Sequence, residues 1–127
     1  MWTMSNEGST YAFKKTGPDL KCTLHECVII NQLANSPNII NLMAIVINHD
    51  NTICGFVTPF MCSGDLESIF EKVCKNISLG DDHATTFKWP PKRAWACQIT
   101  QAMAELHAIL AYNGDLKPQN ILIDPTG

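Results

Sequence analysis

The pattern of apolar and polar residues at the amino end predicts a β-hairpin followed by a helix. β-Favouring residues dominate the segment 9–15, and the turn-forming segment 5–8 separates it from a first strand within 1–4. From Pro18 to about Ala34, apolar residues recur at nearly helical spacing. Because proline suits the first position of a helix, we expect this helix to begin at Pro18.

Further along the chain, the pattern returns to strands and then to a second helix. Two β-rich runs, 39–47 and 52–58, flank the turn-forming segment 49–51, which predicts a second hairpin. The polar segment 75–88 predicts an exposed loop. Between the hairpin and the loop, four apolar residues at helical spacing predict a short amphipathic helix: Leu66, Ile69, Phe70 and Val73.

One long apolar stripe dominates the last third of the chain and predicts a buried helix that starts at the prolines 90–91. The stripe consists of Trp95, Ile99, Ala102, Met103, Leu106, Ile109 and Leu110. Beyond it we expect a polar loop at 113–120, a short strand at 121–123 and a turn at 124–127. Strand pairs and helices follow one another in blocks, so the predicted fold class is α+β rather than alternating α/β.

Composition and charge limit the classes of function. The 127 residues are 46% hydrophobic and 17% charged, which is typical of one globular domain or a piece of one. Nine Lys and Arg against twelve Asp and Glu give a net charge of −3 with no basic run, so nucleic-acid binding is not expected. No apolar run approaches the ~20 residues that cross a bilayer, so no membrane span is expected.

The cysteines and the amino-terminal segment bear on the cellular compartment. The six cysteines form neither a C-x-x-C pair nor a Cys/His cluster, so we expect reduced core residues rather than disulfides or a metal site. Residues 1–10 lack the basic and apolar parts of a secretory signal. We therefore expect the protein in the cytoplasm or the nucleus.

The most informative segment is N-G-D-L-K-P-Q-N-I-L-I-D at 113–124. Its D-L-K-P-x-N core resembles the catalytic loop H-R-D-L-x-x-x-N of protein kinases. The resemblance implies that Asp115 meets the substrate hydroxyl and that Asn120 binds the metal that holds the phosphates. Lys117 is similar to the lysine of the serine/threonine-specific branch, where its charge offsets the charge that builds on the transferred phosphoryl group.

A second kinase-like feature joins the predicted second strand to the helix that follows it. The segment 12–14 resembles the end of the V-A-I-K motif, and Glu26 lies where the family places the partner of that lysine. The resemblance implies an ion pair that directs Lys14 towards the α- and β-phosphates of ATP. Lys15 is the alternative, but the alternation of strand faces and the A-x-K spacing favour Lys14. An exposed lysine and a solvated glutamate would also fit these positions.

The segment 56–66 resembles the strand, the adenine-binding hinge and the helix start that follow in the family. The resemblance implies that Thr58 is the gatekeeper, that Pro59 accepts from adenine through its carbonyl and that Met61 donates through its N–H. Proline lacks only a backbone donor, so Pro59 can serve as an acceptor. Asp65 matches the acidic position that meets the ribose, although an aspartate also starts helices without any ligand.

The family resemblance also assigns two apolar residues and a domain organisation. Ala12 and Leu122 match the positions that enclose the adenine ring from above and below, while plain core packing is the alternative for both. The implied fold is protein-kinase-like, with a small β-rich lobe at 1–62 that ends in the hinge. The start of a helical lobe with the catalytic loop follows at 63–127.

Several kinase motifs do not occur among the 127 residues. No G-x-G-x-x-G loop precedes Lys14, no D-F-G follows Asn120, and the segment 113–114 replaces the His and Arg of the family pattern. We therefore expect an incomplete, truncated domain that is inactive without the missing remainder of the kinase domain. Two hypotheses follow: a serine/threonine kinase that uses ATP and Mg to phosphorylate a protein substrate, or a degenerate kinase-like module that binds or regulates without catalysis.

Overall fold

The computed structural model describes residues 2–6, 8–78 and 89–124. Strands and helices follow one another in blocks, which confirms the α+β class. The predicted turn after Asp124 and the stretch 79–88 of the predicted loop lie outside the described residues. In chain order the elements are β1 Trp2–Asn6, β2 Ser9–Lys15, α1 Leu20–Gln32, β3 Ala44–Ile47, β4 Ile53–Pro59, α2 Leu66–Ser78, α3 Trp89–Ala108 and a short 3₁₀ helix Pro118–Asn120.

The chain divides into two compact units. Met1–Phe60 and Ala104–Ala111 form the first unit, and Met61–Met103 and Tyr112–Gly127 form the second. The sheet and α1 therefore belong to the first unit, while α2 and the 3₁₀ helix belong to the second. No helix in the described part of the chain has the length and apolar character that crossing a membrane requires.

The strands form one antiparallel sheet in the order β1-β2-β4-β3. Across the central pair, Ala12 lies opposite Thr58 and Lys14 lies opposite Phe56. Residues that lie opposite each other in a ladder share a face of the sheet, as do residues two apart in one strand. These four side chains therefore line one face of the sheet.

The core of the first unit lies between this face of the sheet and α1. Phe56 is only 2% exposed and packs with Cys27 and Ile30 of α1, and Leu42 packs against the same cluster. Burying large apolar side chains of this kind stabilises a fold by about 1.5–3 kcal/mol each. The face that carries Lys14 is thus the face on which α1 packs.

Gly55 allows β2 and β4 to approach closely on the opposite face of the sheet. A Cβ atom at this position would lie 2.6 Å from Cε2 and 2.8 Å from Cζ of the Phe13 ring, and closer still to the carbonyl oxygen of Lys14. Contacts this short do not occur between real atoms, so only glycine fits here. The Phe13 ring takes the space that a side chain of residue 55 would fill.

The first helix begins two residues later than the sequence predicted. Asp19 is the N-cap, because its Oδ1 accepts from the Lys21 N–H at 2.9 Å, and α1 starts at Leu20. Pro18 precedes the cap, so its prediction as the first helical residue is wrong. A side-chain oxygen that satisfies a free N–H fixes a helix start more strongly than the dihedral preference of proline does.

Two further boundaries differ from the prediction. β3 starts at Ala44 rather than at residue 39, because Leu42 turns to the core instead of extending the ladder. α2 continues to Ser78, so residues 75–78 are helical and not part of the predicted loop. An i,i+4 ion pair of 3.8 Å between Lys75 and Glu71 supports this last turn.

The long helix ends before the end of its apolar stripe. α3 stops at Ala108, and Leu110 takes a left-handed backbone conformation with φ of 58°. The other stripe residues are half-buried, while Leu110 is 82% exposed. The expectation of a well-buried helix is therefore wrong, because none of the stripe residues, all of which the structure describes, is fully buried. The predicted strand at 121–123 is likewise reduced to one isolated bridge, at Leu122.

Candidate active site

Lys14 and Glu26 form an ion pair in the first unit. Nζ of Lys14 donates to Oε1 of Glu26 at 2.6 Å and to Oε2 at 2.9 Å. Nζ also lies 5.6 Å from the centre of the Phe56 ring, within the range of a cation–π contact. The side chains are 56% and 40% exposed, so the pair contributes little to stability. Its effect is orientation, because it holds a charged nitrogen on the α1 face of the sheet.

The predicted hinge begins where β4 ends, at Pro59. The Phe60 N–H donates to the Thr10 carbonyl at 3.2 Å, and Ala12 lies opposite Thr58. Hydrogen-bonded and non-hydrogen-bonded pairs alternate along an antiparallel ladder. The pair of Pro59 with Tyr11 is a non-hydrogen-bonded one, so neither backbone group of Pro59 bonds to β2. Proline is therefore tolerated in this strand, and its carbonyl is left for another donor. Ala12 and Thr58 themselves are buried.

Met61 opens the second unit with a tight turn. Its carbonyl accepts from the Gly64 N–H at 3.1 Å. Gly64 has φ of 82°, a conformation that glycine adopts without the Cβ penalty of other residues. The turn redirects the chain into α2. The two predicted adenine contacts, Pro59 and Met61, thus belong to different units.

Asp65 and Leu122 lie opposite each other in an isolated antiparallel bridge of the second unit. The bridge joins the segment before α2 to the segment after the 3₁₀ helix, so two predicted nucleotide contacts that are far apart in sequence become neighbours. Two backbone hydrogen bonds of 2.9 Å flank the bridge, from Leu66 to Ile121 and from Ile123 to Gly64.

The Asp65 carboxylate caps α2. Its Oδ1 accepts from the backbone N–H of Ser68 at 2.8 Å and from the Ser68 hydroxyl at 3.0 Å. The backbone hydrogen bond from Ser68 is the main cause that lowers the pKa of Asp65. Oδ1 of Asp65 therefore caps the helix, which is the alternative to ribose binding that the sequence allowed. Contact between Asp65 and a ribose stays a prediction.

Asp115, Lys117 and Asn120 meet in one short loop. Nζ of Lys117 lies 2.8 Å from Oδ2 of Asp115, and Nδ2 of Asn120 donates to the same oxygen at 2.9 Å. Nδ2 of Asn120 also donates to the Asp115 backbone carbonyl at 2.8 Å. The 3₁₀ helix turns the chain back so that Asn120 lies near Asp115. Within this turn the Asn120 N–H donates to the Lys117 carbonyl at 2.9 Å. One side chain thus contacts both the backbone and the carboxylate of Asp115.

These contacts set the charge of the Asp115 carboxylate. The hydrogen bond from Lys117, followed by the one from Asn120, lowers the pKa of Asp115 below its ordinary value. The side chain is 69% exposed, so solvent and partner molecules reach it. At neutral pH the group is an ionised acceptor that can receive a hydrogen bond from a hydroxyl.

Sequence reasoning did not identify three residues that support this loop. Oδ1 of Asn113 accepts from the Asp115 N–H at 2.9 Å, a contact that the turn-forming Asn-Gly pair could have suggested. Nε2 of Gln119 donates to Oε1 of Glu67 at 2.6 Å and ties the 3₁₀ helix to α2. No local pattern predicts this second contact, because its residues lie far apart in the chain.

One side-chain oxygen of the loop fits a magnesium ion. Nδ2 of Asn120 is committed to Asp115, which leaves the amide oxygen Oδ1 as the atom of Asn120 that can bind a cation. Oxygen is the ligand that Mg²⁺ prefers, so the residue fits the ion. Among the described residues, no three His, Cys, Asp or Glu side chains group as a metal site.

The structure gathers most of the predicted site residues into small groups, and their joint action on one ATP stays a prediction. Pro59 and Met61 stand apart from these groups at the two ends of the predicted hinge. The groups are Lys14 with Glu26, Ala12 with Thr58, Asp65 with Leu122, and Asp115 with Lys117 and Asn120.

Comparison with known proteins agrees with this geometry. Residues 4–127 match the model of the protein kinase domain family. The chain is 31% identical over 107 residues to casein kinase II subunit alpha' of Saccharomyces cerevisiae (strain ATCC 204508 / S288c), an alignment that covers 84% of this chain and 27% of the relative. It is 27% identical over 106 residues to cyclin-dependent kinase F-4 of Oryza sativa subsp. japonica, with 80% of this chain and 20% of the relative covered. The chain thus spans about a quarter of the length of these relatives. With its small antiparallel sheet, its helices and its D-L-K-P-x-N loop, the chain belongs to the protein kinase domain family.

Proposed function

We propose that this chain is the part of a serine/threonine protein kinase that carries its catalytic loop, and that the whole protein transfers the γ-phosphate of ATP to a protein hydroxyl. The observation that carries the proposal is the Asp115 carboxylate, whose Oδ2 is contacted by both Lys117 and Asn120, at 2.8 and 2.9 Å. An exposed carboxylate, a lysine and an amide oxygen within six residues match groups that phosphoryl transfer to a hydroxyl uses.

In the proposed reaction, Asp115 accepts a hydrogen bond from the substrate hydroxyl and orients its oxygen. That oxygen forms a bond to the γ-phosphorus while the bond from this phosphorus to the bridging oxygen breaks, and the electron pair leaves on ADP. The proton of the hydroxyl passes to the Asp115 carboxylate. Because the lowered pKa makes Asp115 a weak base, we expect proton transfer late, after bond formation has made the hydroxyl proton acidic.

The other charged groups act on the phosphates in this proposal. Lys117 neutralises charge on the transferred group, and Lys14, oriented by Glu26, binds the α- and β-phosphates. Oδ1 of Asn120 would hold magnesium, which when bound neutralises phosphate charge. The ion pair with Glu26, at 2.6 Å, supports the role of Lys14 because it gives the nitrogen a defined direction.

The remaining predicted contacts concern the nucleoside. We propose that the Pro59 carbonyl accepts from adenine, and its position in a pair that is not hydrogen-bonded to β2 supports this. The Met61 N–H would donate to the same ring, with Thr58 as the gatekeeper. Four residues would complete the nucleotide contacts: Ala12 and Leu122 against the faces of adenine, Asp65 at the ribose through its second carboxylate oxygen, and Lys14 at the phosphates. We expect such a kinase in the cytoplasm or the nucleus.

The experiment that tests the proposal is the Asp115→Asn substitution in the full-length protein, measured as phosphate transfer from ATP to a protein substrate. We expect kcat to fall about 10²- to 10⁴-fold, while KM for ATP changes little. Asp50→Asn is the matched control, because Asp50 is an exposed carboxylate in the β3–β4 turn. Equal turnover by the wild type and Asp115→Asn would refute the assignment.

A degenerate binding module is the second candidate, and the segment 113–114 favours it. Gly114 cannot supply the positive charge of the arginine that the family pattern has at this position. Calorimetric titration of the full-length protein with ATP, with and without magnesium, separates the two. Magnesium-dependent binding together with turnover supports the kinase, and binding without turnover in the wild type supports the module.

A further inference from the structure

The residue directly before Asp115 is the least restrained type of residue in proteins. Glycine explores more backbone conformations than any other residue, so Gly114 on its own leaves the direction of Asp115 poorly fixed. A Cβ atom at Gly114 would meet nothing within 4 Å, so packing does not restrain this position either. Neither the type of residue 114 nor its packing therefore restrains the amino side of Asp115.

Asn113 provides this restraint. Its Oδ1 accepts from the Asp115 N–H at 2.9 Å and so closes a turn across Gly114. On the other side, Nδ2 of Asn120 donates to the Asp115 carbonyl at 2.8 Å. Both the backbone N–H and the backbone carbonyl of Asp115 are therefore hydrogen-bonded to an amide side chain.

We infer that Asn113 is a positioning residue, which fixes the orientation of Asp115 across the flexible Gly114. Its part in catalysis rests on the proposed phosphoryl transfer, because Asn113 acts through Asp115 and does not touch the reacting atoms. The hydrogen bond from the Asp115 N–H to Asn113 restrains Asp115 within the turn. This restraint is needed because Gly114, between the two residues, is conformationally free.

The first test is independent of activity. In the full-length protein, amide hydrogen exchange at Asp115, followed by NMR, should become about tenfold faster in Asn113→Ala, since an N–H without its acceptor is open to solvent. Asn113→Asp keeps an acceptor oxygen at the same place and should keep the protection. Equal exchange in the wild type and Asn113→Ala would overturn the inference.

The second test measures turnover with the same variants. We expect kcat to fall about tenfold in Asn113→Ala with KM for ATP within about twofold, because a small displacement of a reacting group has large effects on rate. Asn113→Asp should restore most of kcat. When Gly114→Ala is also present, the loss of kcat caused by Asn113→Ala should be about two- to fivefold smaller. Alanine restricts the backbone conformations that residue 114 can adopt.

The outcomes separate this inference from the proposed function. If the wild type is inactive, the proposed function is refuted. If its amide exchange at Asp115 is nevertheless slower than in Asn113→Ala, the restraint by Asn113 is supported. An active wild type whose kcat is unchanged in Asn113→Ala contradicts the positioning role while leaving the proposed function in place. A loss of kcat that Asn113→Asp does not restore also contradicts it.

Discussion

At the scale of single residues, the charged groups of the site are paired with one another although they are exposed. Lys14 is held by Glu26, and Asp115 is held by Lys117 and Asn120. Exposed pairs of this kind contribute little to the free energy of unfolding. They do restrain the direction of the side chains that the proposed reaction uses.

The pKa of Asp115 gives a direct test of its pairing. Lys117→Met should raise the pKa of Asp115 towards its ordinary value, because the hydrogen bond from Lys117 is the main cause of the lowering. NMR titration of the Asp115 carboxyl carbon measures this shift, and Lys75→Met, which disturbs an ion pair on α2, is the control.

The sign of the linked pH effect follows from the same shift. A carboxyl group whose pKa is lower in the folded protein stabilises the fold above its unfolded pKa, about 3.9 for aspartate, and loses this effect as the pH falls through the folded pKa. Stability of the wild type should therefore decline in that acid range, and less so in Lys117→Met. A Lys117→Met protein with an unchanged Asp115 titration would contradict the pairing.

At the scale of elements, caps and turns determine where the helices end. The end of α3 is a Schellman motif, in which the Leu110 N–H donates to the His107 carbonyl and the Ala111 N–H donates to the Leu106 carbonyl, each at 3.0 Å. Glycine is the usual residue at the left-handed position of this motif, and this chain has Leu110 there.

Leu110→Gly should therefore stabilise the protein. A side chain in the left-handed region costs roughly 1–2 kcal/mol, and the greater freedom of glycine in the unfolded chain offsets about 0.5–1 kcal/mol of the gain. Leu110→Ala removes the same exposed side chain but keeps the strain, so it is the matched control. Denaturant unfolding should show Leu110→Gly as the more stable of the two, and the reverse order would contradict the strain.

The close approach of β2 and β4 predicts a loss of stability when a glycine is replaced. Gly55→Ala should destabilise the sheet by about 1–3 kcal/mol or more, because the new Cβ would overlap the Phe13 ring and the backbone of Lys14. Gly17→Ala is the control, since a Cβ at that position meets nothing within 4 Å. Thermal unfolding of the two variants compares them, and equal midpoints would show that the strands can separate to admit the methyl group.

At the scale of the whole molecule, much apolar surface is exposed among the described residues. β3 lies at an edge of the sheet, and Ile45 and Ile47 are 45% and 56% exposed on it. An exposed apolar edge strand is a site of association between chains. Large apolar side chains elsewhere in the described residues are also more than a third exposed, among them Val28, Phe70, Leu110 and Tyr112.

We expect the 127-residue chain, purified by itself, to bind dyes that detect apolar surface and to associate as its concentration rises. The double variant Ile45→Thr and Ile47→Thr should lower dye fluorescence and light scattering without loss of stability, since threonine keeps the β-branched shape. Val57→Thr, at a buried position of β4, should instead lower stability. A wild-type chain that stays monomeric without dye binding would contradict the prediction.

The sequence by itself determined the features that depend on neighbouring residues. Asp115, Lys117 and Asn120 lie within six positions, so the local motif was enough to predict that they act together, and their contacts are present. The four strands and three longer helices of the described residues also follow the periodicity of apolar and polar residues, apart from their ends, whereas the predicted strand at 121–123 is only an isolated bridge. The choice of Lys14 rather than Lys15 rested on strand alternation and the A-x-K spacing, and Lys14 forms an ion pair with Glu26 in the structure.

Only the tertiary structure decided the features that depend on residues far apart in the chain. The bridge of Asp65 with Leu122, the Glu67–Gln119 hydrogen bond and the Phe13 ring over Gly55 have no local pattern, because their energies arise only when the segments are packed together. The start of α1 and the end of α3 differ from the prediction for another reason, which is local. A side-chain cap at Asp19 and a Schellman turn at Leu110 satisfy free backbone groups, and that local hydrogen bonding outweighs the apolar periodicity from which the boundaries were predicted.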